Sequence, residues 1–320
     1  MKLLFFLFLI SSNVLFSQEI KWSTEIYNVE WGNYPCDIAI DPNGNTFSIS
    51  TFRDTNNNDE YRILLVKWDK FGQKVWTRNL ESGNNIGNTI KHTPTINCDD
   101  SGNVYILSRF KDKLIFNTDT LYSDQFPQPV CPDSCWVEDL DNWIFYCNCP
   151  MDTIIVYTST PYIVKFDTDG NYIFANRIAD VGNIDPLNFY VDNEQIIYIS
   201  GSFYNTVCID SIWLNSVDTK NIFIAKYDDQ AEIIWAKSLG SSQSQNEWSY
   251  NICTDLSNNV LLSGSCGANA EFDTCVIEEG GAFAAKFDAN GNSLWAKNID
   301  NNYTAFGIGT DQYGNCYIGG

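Results

Sequence analysis

The motif Asp–x–x–Gly–Asn, followed by an aromatic-rich strand, recurs from Asp41 to the end of the chain. A short unit copied at a period near sixty residues constrains the fold more than any single residue does, because each copy is one supersecondary module that buries its apolar faces only against its neighbours. Aligned on Asp69, Asp167, Asp228 and Asp288, the preceding residue is always aromatic (Trp68, Phe166, Tyr227, Phe287). Lys stands two before (Lys67, Lys165, Lys226, Lys286), and an aromatic stands seven after (Trp76, Phe174, Trp235, Trp295). Gly72, Gly170 and Gly291, three past the aspartate, mark a tight hairpin with a left-handed residue, and the aspartate side chain accepts N–H groups within that turn. Ala231 breaks the glycine rule, and holding Ala at positive φ costs about 1 kcal/mol unless that turn differs.

A second hairpin precedes the first in each unit, at Asp41, Asp99, Asp192, Asp255 and Asp311. Gly44, Gly102 and Gly314 follow at the same spacing, Asn258 is a tolerable left-handed substitute, and Gln195 departs from the pattern. Each unit therefore holds four strands in two hairpins. The strands are apolar on both faces, as in Ile222–Phe223–Ile224–Ala225, which signals sheets covered on both sides. Four-stranded antiparallel sheets repeated in tandem and buried on both faces predict an all-β fold, a β-propeller. The expected blades lie at about 36–80, 93–178, 187–239 and 249–299, with a partial fifth at 304–320. Asp167, Asp228 and Asp288 stand 61 and 60 residues apart, but Asp69 and Asp167 stand 98 apart, so the second unit carries an insertion, about 111–160. Lys21–Ile26 with Trp22 resembles the last strand of a unit and suits closure of a final blade. A ring of seven such blades needs roughly 420 residues, so an incomplete ring is expected.

These residues resemble the repeat of the bacterial secreted propeller-repeat proteins, which stands here as Ile222–Lys237 and Asp311–Gly319. The resemblance covers nearly all of the chain after its leader. It implies a secreted or cell-surface propeller; relatives of this kind often carry a C-terminal type IX sorting domain, and most have no assigned activity. A looser resemblance links Gly72–Trp76 and Gly291–Trp295 to the blade-docking signature of pyrroloquinoline-quinone propellers. A quinoprotein would need vicinal cysteines, and no adjacent Cys–Cys pair occurs, so that reading is remote.

Lys2, the apolar run Leu3–Ile10 and the small Ser17 read as a secretory signal over residues 1–18, cleaved after Ser17 or Gln18. The run is too short and broken for a membrane span, and export with no membrane insertion after cleavage is expected. Forty acidic residues against nineteen Lys and Arg give a net charge of -21, which repels nucleic acid and anionic lipid. Aromatics at 15% exclude a disordered polyanion. Eleven cysteines in an exported chain point to disulfides, with at least one thiol left over.

Candidate sites lie in the loops that a rigid repeat carries. In the insertion, Cys131, Cys135, Cys147 and Cys149 suit two disulfides, with three pairings open and zinc the alternative. Between them, Trp136, Glu138, Asp139, Asp141 and Trp143 combine ring faces for a sugar with oxygens for hydroxyls or calcium. The competing reading is an acidic loop whose tryptophans pack on the blade. Asp54, Asn56, Asn58 and Glu60 alternate oxygen ligands as a calcium loop does, yet Asp59 replaces the sixth-position glycine and Leu65 stands where the distal Glu belongs. The aspartate turns themselves are read as turn chemistry rather than calcium loops. Cys266 and Cys275 flank a short connection and are expected to pair. His92, the lone histidine, is disfavoured as a metal or triad residue.

The expected function is a non-catalytic scaffold for binding or adhesion at the bacterial cell surface, with a glycan or a surface protein as partner and calcium as the candidate ion. The alternative is a carbohydrate-active propeller enzyme. That chemistry needs two carboxyls facing one sugar from separate elements, beside a tryptophan.

Overall fold

A computed structural model describes residues 34–54, 60–80, 93–110, 113–116, 119–123, 125–130, 152–157, 160–241, 247–301 and 303–320. The first sheet runs β1 (Tyr34–Ile40), β2 (Thr46–Asp54), β3 (Glu60–Trp68) and β4 (Lys74–Leu80), antiparallel and in chain order. In the second unit β5 (Thr95–Cys98) and β6 (Val104–Phe110) come first. Two extra strand pairs follow, β7 (Lys113–Phe116) with β8 (Asp119–Tyr122), and β9 (Gln125–Val130) with β10 (Asp152–Tyr157). β11 (Thr160–Phe166) and β12 (Tyr172–Arg177) then complete the sheet β5-β6-β11-β12. The third sheet is β13 (Val181–Val191), β14 (Ile197–Ile209), β15 (Ile212–Tyr227) and β16 (Ile233–Leu239). The fourth is β17 (Trp248–Thr254), β18 (Val260–Cys266), β21 (Gly281–Phe287) and β22 (Ser293–Asp300), with the small hairpin β19 (Ala270–Phe272)–β20 (Cys275–Ile277) between its middle strands. A last hairpin is β23 (Gly307–Thr310)–β24 (Cys316–Gly319).

Four antiparallel blades thus stand in a propeller arrangement. The first strands β1, β5, β13, β17 and β23 touch in series and form the inner edge. The last strands β4, β12, β16 and β22 form the outer edge, where Val75, Ile173, Ile234 and Leu294 are exposed.

The unbroken apolar runs follow from period-two geometry between two neighbours. In β14 and β15, Ile199, Phe223 and Ala225 enter the core shared with the second blade, beside Leu107 and Ile163. Their alternates Tyr198, Ile222 and Ile224 enter the core shared with the fourth blade, beside Leu262, Phe283 and Phe287. A third such core, with Phe47, Leu65, Ile106 and Val164, joins the first and second blades. Each fully buried large side chain contributes about 1.5–3 kcal/mol, and every blade seam is built this way.

Nine hairpin turns share one geometry. In each, the aspartate Oδ1 accepts the backbone N–H groups two and four residues on, as at Asp167 from Asp169 and Asn171 (2.9 and 2.8 Å). In six of them an Asn at the fourth position also donates Nδ2 to the aspartate Oδ2, as Asn45 does to Asp41 at 2.7 Å. That second bond accounts for the Asn of the motif. Ala231 (φ 59) and Gln195 (φ 64) adopt the same left-handed conformation as the glycines, so their turns do not differ. The extra hydrogen bonds over-determine the turn and hold these residues in place.

Candidate functional site

All nine aspartate turns join first to second or third to fourth strands, so they lie at one end of the sheets. The connections between second and third strands all leave from the opposite end. The two ends do different work.

The aspartate end locks blades together. The repeated Lys and the aromatic opposite it in register reach the next blade's turn: Lys67 Nζ donates to Thr168 O at 2.7 Å and Trp76 Nε1 to the same oxygen at 3.3 Å. Lys226 and Trp235 repeat this on Ala289 O at 3.1 and 3.2 Å. Gly170 and Gly291 lie under these rings, where a Cβ would sit 3.1 and 3.2 Å from a tryptophan Cζ2. At the remaining seam the ring is Phe174, which packs into the core cluster that holds Ala231, and Lys165 donates to Gln195 Oε1 instead. A smaller ring faces the larger turn residue. The Asp255 carboxyl would be raised by burial, but hydrogen bonds from Asn259 and Lys286 hold it near about 2. These aspartates serve the fold.

The inner edge is stitched by side chains at backbone bulges. Asp37 accepts from Ile38 N with Oδ1 and from Ile96 N, in the next blade, with Oδ2. Asn188 repeats this, accepting from Phe189 N and donating Nδ2 to Tyr250 O. Burial raises the Asp37 carboxyl.

At the opposite end, Arg109, Asp185, Lys220 and Trp248 come together from three blades. Arg109 Nη1 and Lys220 Nζ lie 2.9 and 3.5 Å from the two oxygens of Asp185. Lys220 Nζ also lies 3.2 Å from the Trp248 ring centroid. Burial lowers the Arg109 guanidinium, and the Asp185 carboxylate opposes that shift. Next to Trp248, Glu247 is fully buried. Its Oε1 accepts Ser241 N at 2.7 Å and Gly267 N at 3.4 Å, and its Oε2 has no partner. A Cβ at Gly240 would fall 1.6 Å from that oxygen, so the carboxylate needs glycine there. Burial pushes the Glu247 carboxyl up. Asp185 and Glu247 are two carboxylates from different blades beside a tryptophan, but they do not face one pocket. Asp185 is held between two cations, and Glu247 points into backbone N–H groups.

The same end projects a hairpin from each of three successive blades, a feature the sequence reading did not separate. These are β7–β8, the β14–β15 tip at Ile209–Ile212, and β19–β20. The span 111–160 therefore includes this shared hairpin, which the 60- and 61-residue units also carry, so the second unit's extra length lies beyond it. What is peculiar to that unit begins with the β9–β10 ribbon and the residues it brackets. Each hairpin exposes a large apolar side chain: Ile115 and Tyr122, then Trp213 (59% exposed), then Val276. Phe116 stacks on Tyr172 at 5.5 Å, and the Tyr172 hydroxyl donates to Asp119, which ties the first hairpin to its own outer strand. A shallow groove lined by Val276, Glu278, Glu279, Lys297 and Asn298 separates the third hairpin from β22. Two of the tips carry a sequence signal: Asp210 and Asp273 each follow the last apolar residue of the first strand, Ile209 and Phe272, and both are left-handed (φ 53 and 57).

Several sequence-derived candidates fall outside the described residues: Trp136, Glu138, Asp139, Asp141, Trp143, Cys131, Cys135, Cys147, Cys149, Asn56, Asn58 and His92. Asp54 and Glu60 are register partners where β2 meets β3. Among the described residues no group of three or more His, Cys, Asp or Glu could hold a metal ion. No helix there is long and apolar enough to cross a membrane. The expected Cys266–Cys275 disulfide is corrected: both are free thiols. The segment between them is the β19–β20 hairpin, whose register sets Cys275 across from Phe272, while Cys266 sits in β18 across from Gly281.

No family model matches the chain. The chain is similar to an uncharacterized WD repeat-containing protein of Acanthamoeba polyphaga mimivirus, 24% identical over 326 residues, covering 83% of this chain. The match spans 22% of that protein's length. A repeat-containing relative agrees with the β-propeller seen here. It is viral, and its description names no compartment.

Proposed function

We propose that this chain is a non-catalytic propeller scaffold that binds protein partners through the hairpin-bearing end of its blades, and that it works outside the cell or at a bacterial cell surface. The observation that carries this reading is the row of exposed apolar side chains on successive hairpins, Ile115, Tyr122, Trp213 and Val276, presented by a rigid repeat. Aromatic anchors of this kind dominate protein interfaces. A net charge of -21 favours a partner whose contact surface is basic around an apolar centre. Export is supported by Lys2, the Leu3–Ile10 run and Ser17.

The test is affinity capture with the full chain and with an Ile115→Ser/Trp213→Ser/Val276→Ser variant of equal melting temperature. The reading expects partners retained by the native chain to drop at least tenfold with the variant. An unchanged partner set removes this face from consideration. A glycan array run with and without calcium tests the residue 136–143 segment as a sugar site. Calcium-dependent glycan binding unaffected by the hairpin variant would move the function to that segment.

A further inference from the structure

We propose that Cys253 and Cys316 are a redox pair whose disulfide fastens the β23–β24 hairpin to the fourth blade. Cys253 is buried on β17, the blade's innermost strand, and Cys316 is half-buried on β24. Both belong to one small apolar cluster with Leu261, Ala284 and Ile308, walled by Tyr190 and Trp295. The strand registers bring them there. Cys316 pairs with Thr310 across the hairpin, and Thr310 Oγ1 donates to the carbonyl of Thr254, the residue after Cys253, at 3.3 Å.

The two thiols differ in reactivity. Burial pushes Cys253 up to about 12, with the neighbouring Cys316 and the Asp255 charge adding to it. Burial raises Cys316 as well, but the Lys286 ammonium pulls it back down. The thiolate is the nucleophile, so Cys316 reacts first. Its thiolate attacks a small disulfide such as oxidised glutathione; the reagent's S–S bond breaks, one glutathione thiolate leaves, and a mixed disulfide forms on Cys316. Cys253 gives its proton to solvent and attacks the Cys316 sulfur, releasing the second glutathione thiolate. Two protein thiols are oxidised and one reagent disulfide is reduced to two thiols.

The bond would add a covalent tie to a short set of non-covalent contacts. Beyond the cluster and the Thr310 contact, this segment is joined to the blade by a 3.4 Å bond from Ala305 N to Gly264 O and by the Phe306 ring, which meets the Tyr250 ring edge-on at 5.0 Å. Tyr313 is 80% exposed and Tyr317 is 62% exposed. A cross-link here closes a loop of about 60 residues in the unfolded chain.

The experiment is peptide mass mapping under non-reducing conditions, on the full chain equilibrated in reduced or oxidised glutathione. The oxidised sample should contain a linked peptide holding Cys253 and Cys316, melt about 5 °C higher, and resist proteolysis within residues 303–320. With Cys253→Ala, Cys316 should keep its glutathione; with Cys316→Ala, Cys253 should stay unmodified. The native-chain map needs no variant to fold. Recovery of both residues alkylated after oxidation, or of either linked to a different cysteine, overturns the proposal. So does glutathione on Cys253 rather than Cys316.

Discussion

Glu247 shows how a single buried group can set a pH response. Its carboxyl is raised by burial, so the folded chain keeps a proton that the unfolded chain has already released. Stability from this group is therefore highest below the unfolded value near 4.3 and falls as pH rises through the raised folded value. Glu247→Gln removes the titration while keeping the shape. The stability difference between variant and native chain should move in the variant's favour between pH 4 and pH 8, read by urea denaturation. Parallel curves across that range would show that the carboxyl is not held protonated by the fold. Asp255 behaves with the opposite sign. Its folded value is depressed to about 2, so its contribution is present above the unfolded value and lost as pH falls toward 2.

At the scale of elements, each hairpin turn is matched to the ring that docks on it. Trp76 and Trp235 rest on Gly170 and Gly291, while Phe174 shares its core with Ala231. Phe174→Trp alone should destabilise by about 1–3 kcal/mol, because the larger ring meets the Ala231 Cβ. Ala231→Gly should restore room, and the double variant should recover about 1–2 kcal/mol of that loss. Additive effects in the four-variant cycle would show that ring and turn are not in contact. The pattern was legible once the repeats were aligned: Ala replaces Gly at the turn of the one seam among these three whose docking ring is Phe. Its reason was not, because the partner sits in the next blade, 57 residues along the chain.

For the whole molecule, stability is shared between seams rather than held in one centre. The middle strands β14, β15, β18 and β21 are covered on both faces, with Ile199, Ile224, Leu262 and Ala285 fully buried. The outer strands β16 and β22 are mostly half-buried, with Ile234 exposed in the first and Leu294 exposed in the second. Native-state hydrogen exchange should therefore find the slowest amides in the middle strands and markedly faster exchange in β16, β22 and β23–β24. Uniform protection across each blade would contradict a seam-based core.

The repeat, its period, the paired hairpins and the two-sided burial of the strands could all be read from the chain, because each rests on spacing within some sixty residues. Asp69, Asp167, Asp228 and Asp288 marked their turns without any coordinates. The docking of Lys67 and Trp76 on Thr168, the meeting of Arg109, Asp185 and Lys220, the freedom of Cys266 and Cys275, and the exposure of Ile115, Trp213 and Val276 on hairpins at one end of the blades could not be read so. They join residues of separate strands or separate blades, and a linear pattern, though it sets neighbouring units face to face, does not fix which side chains meet across a seam.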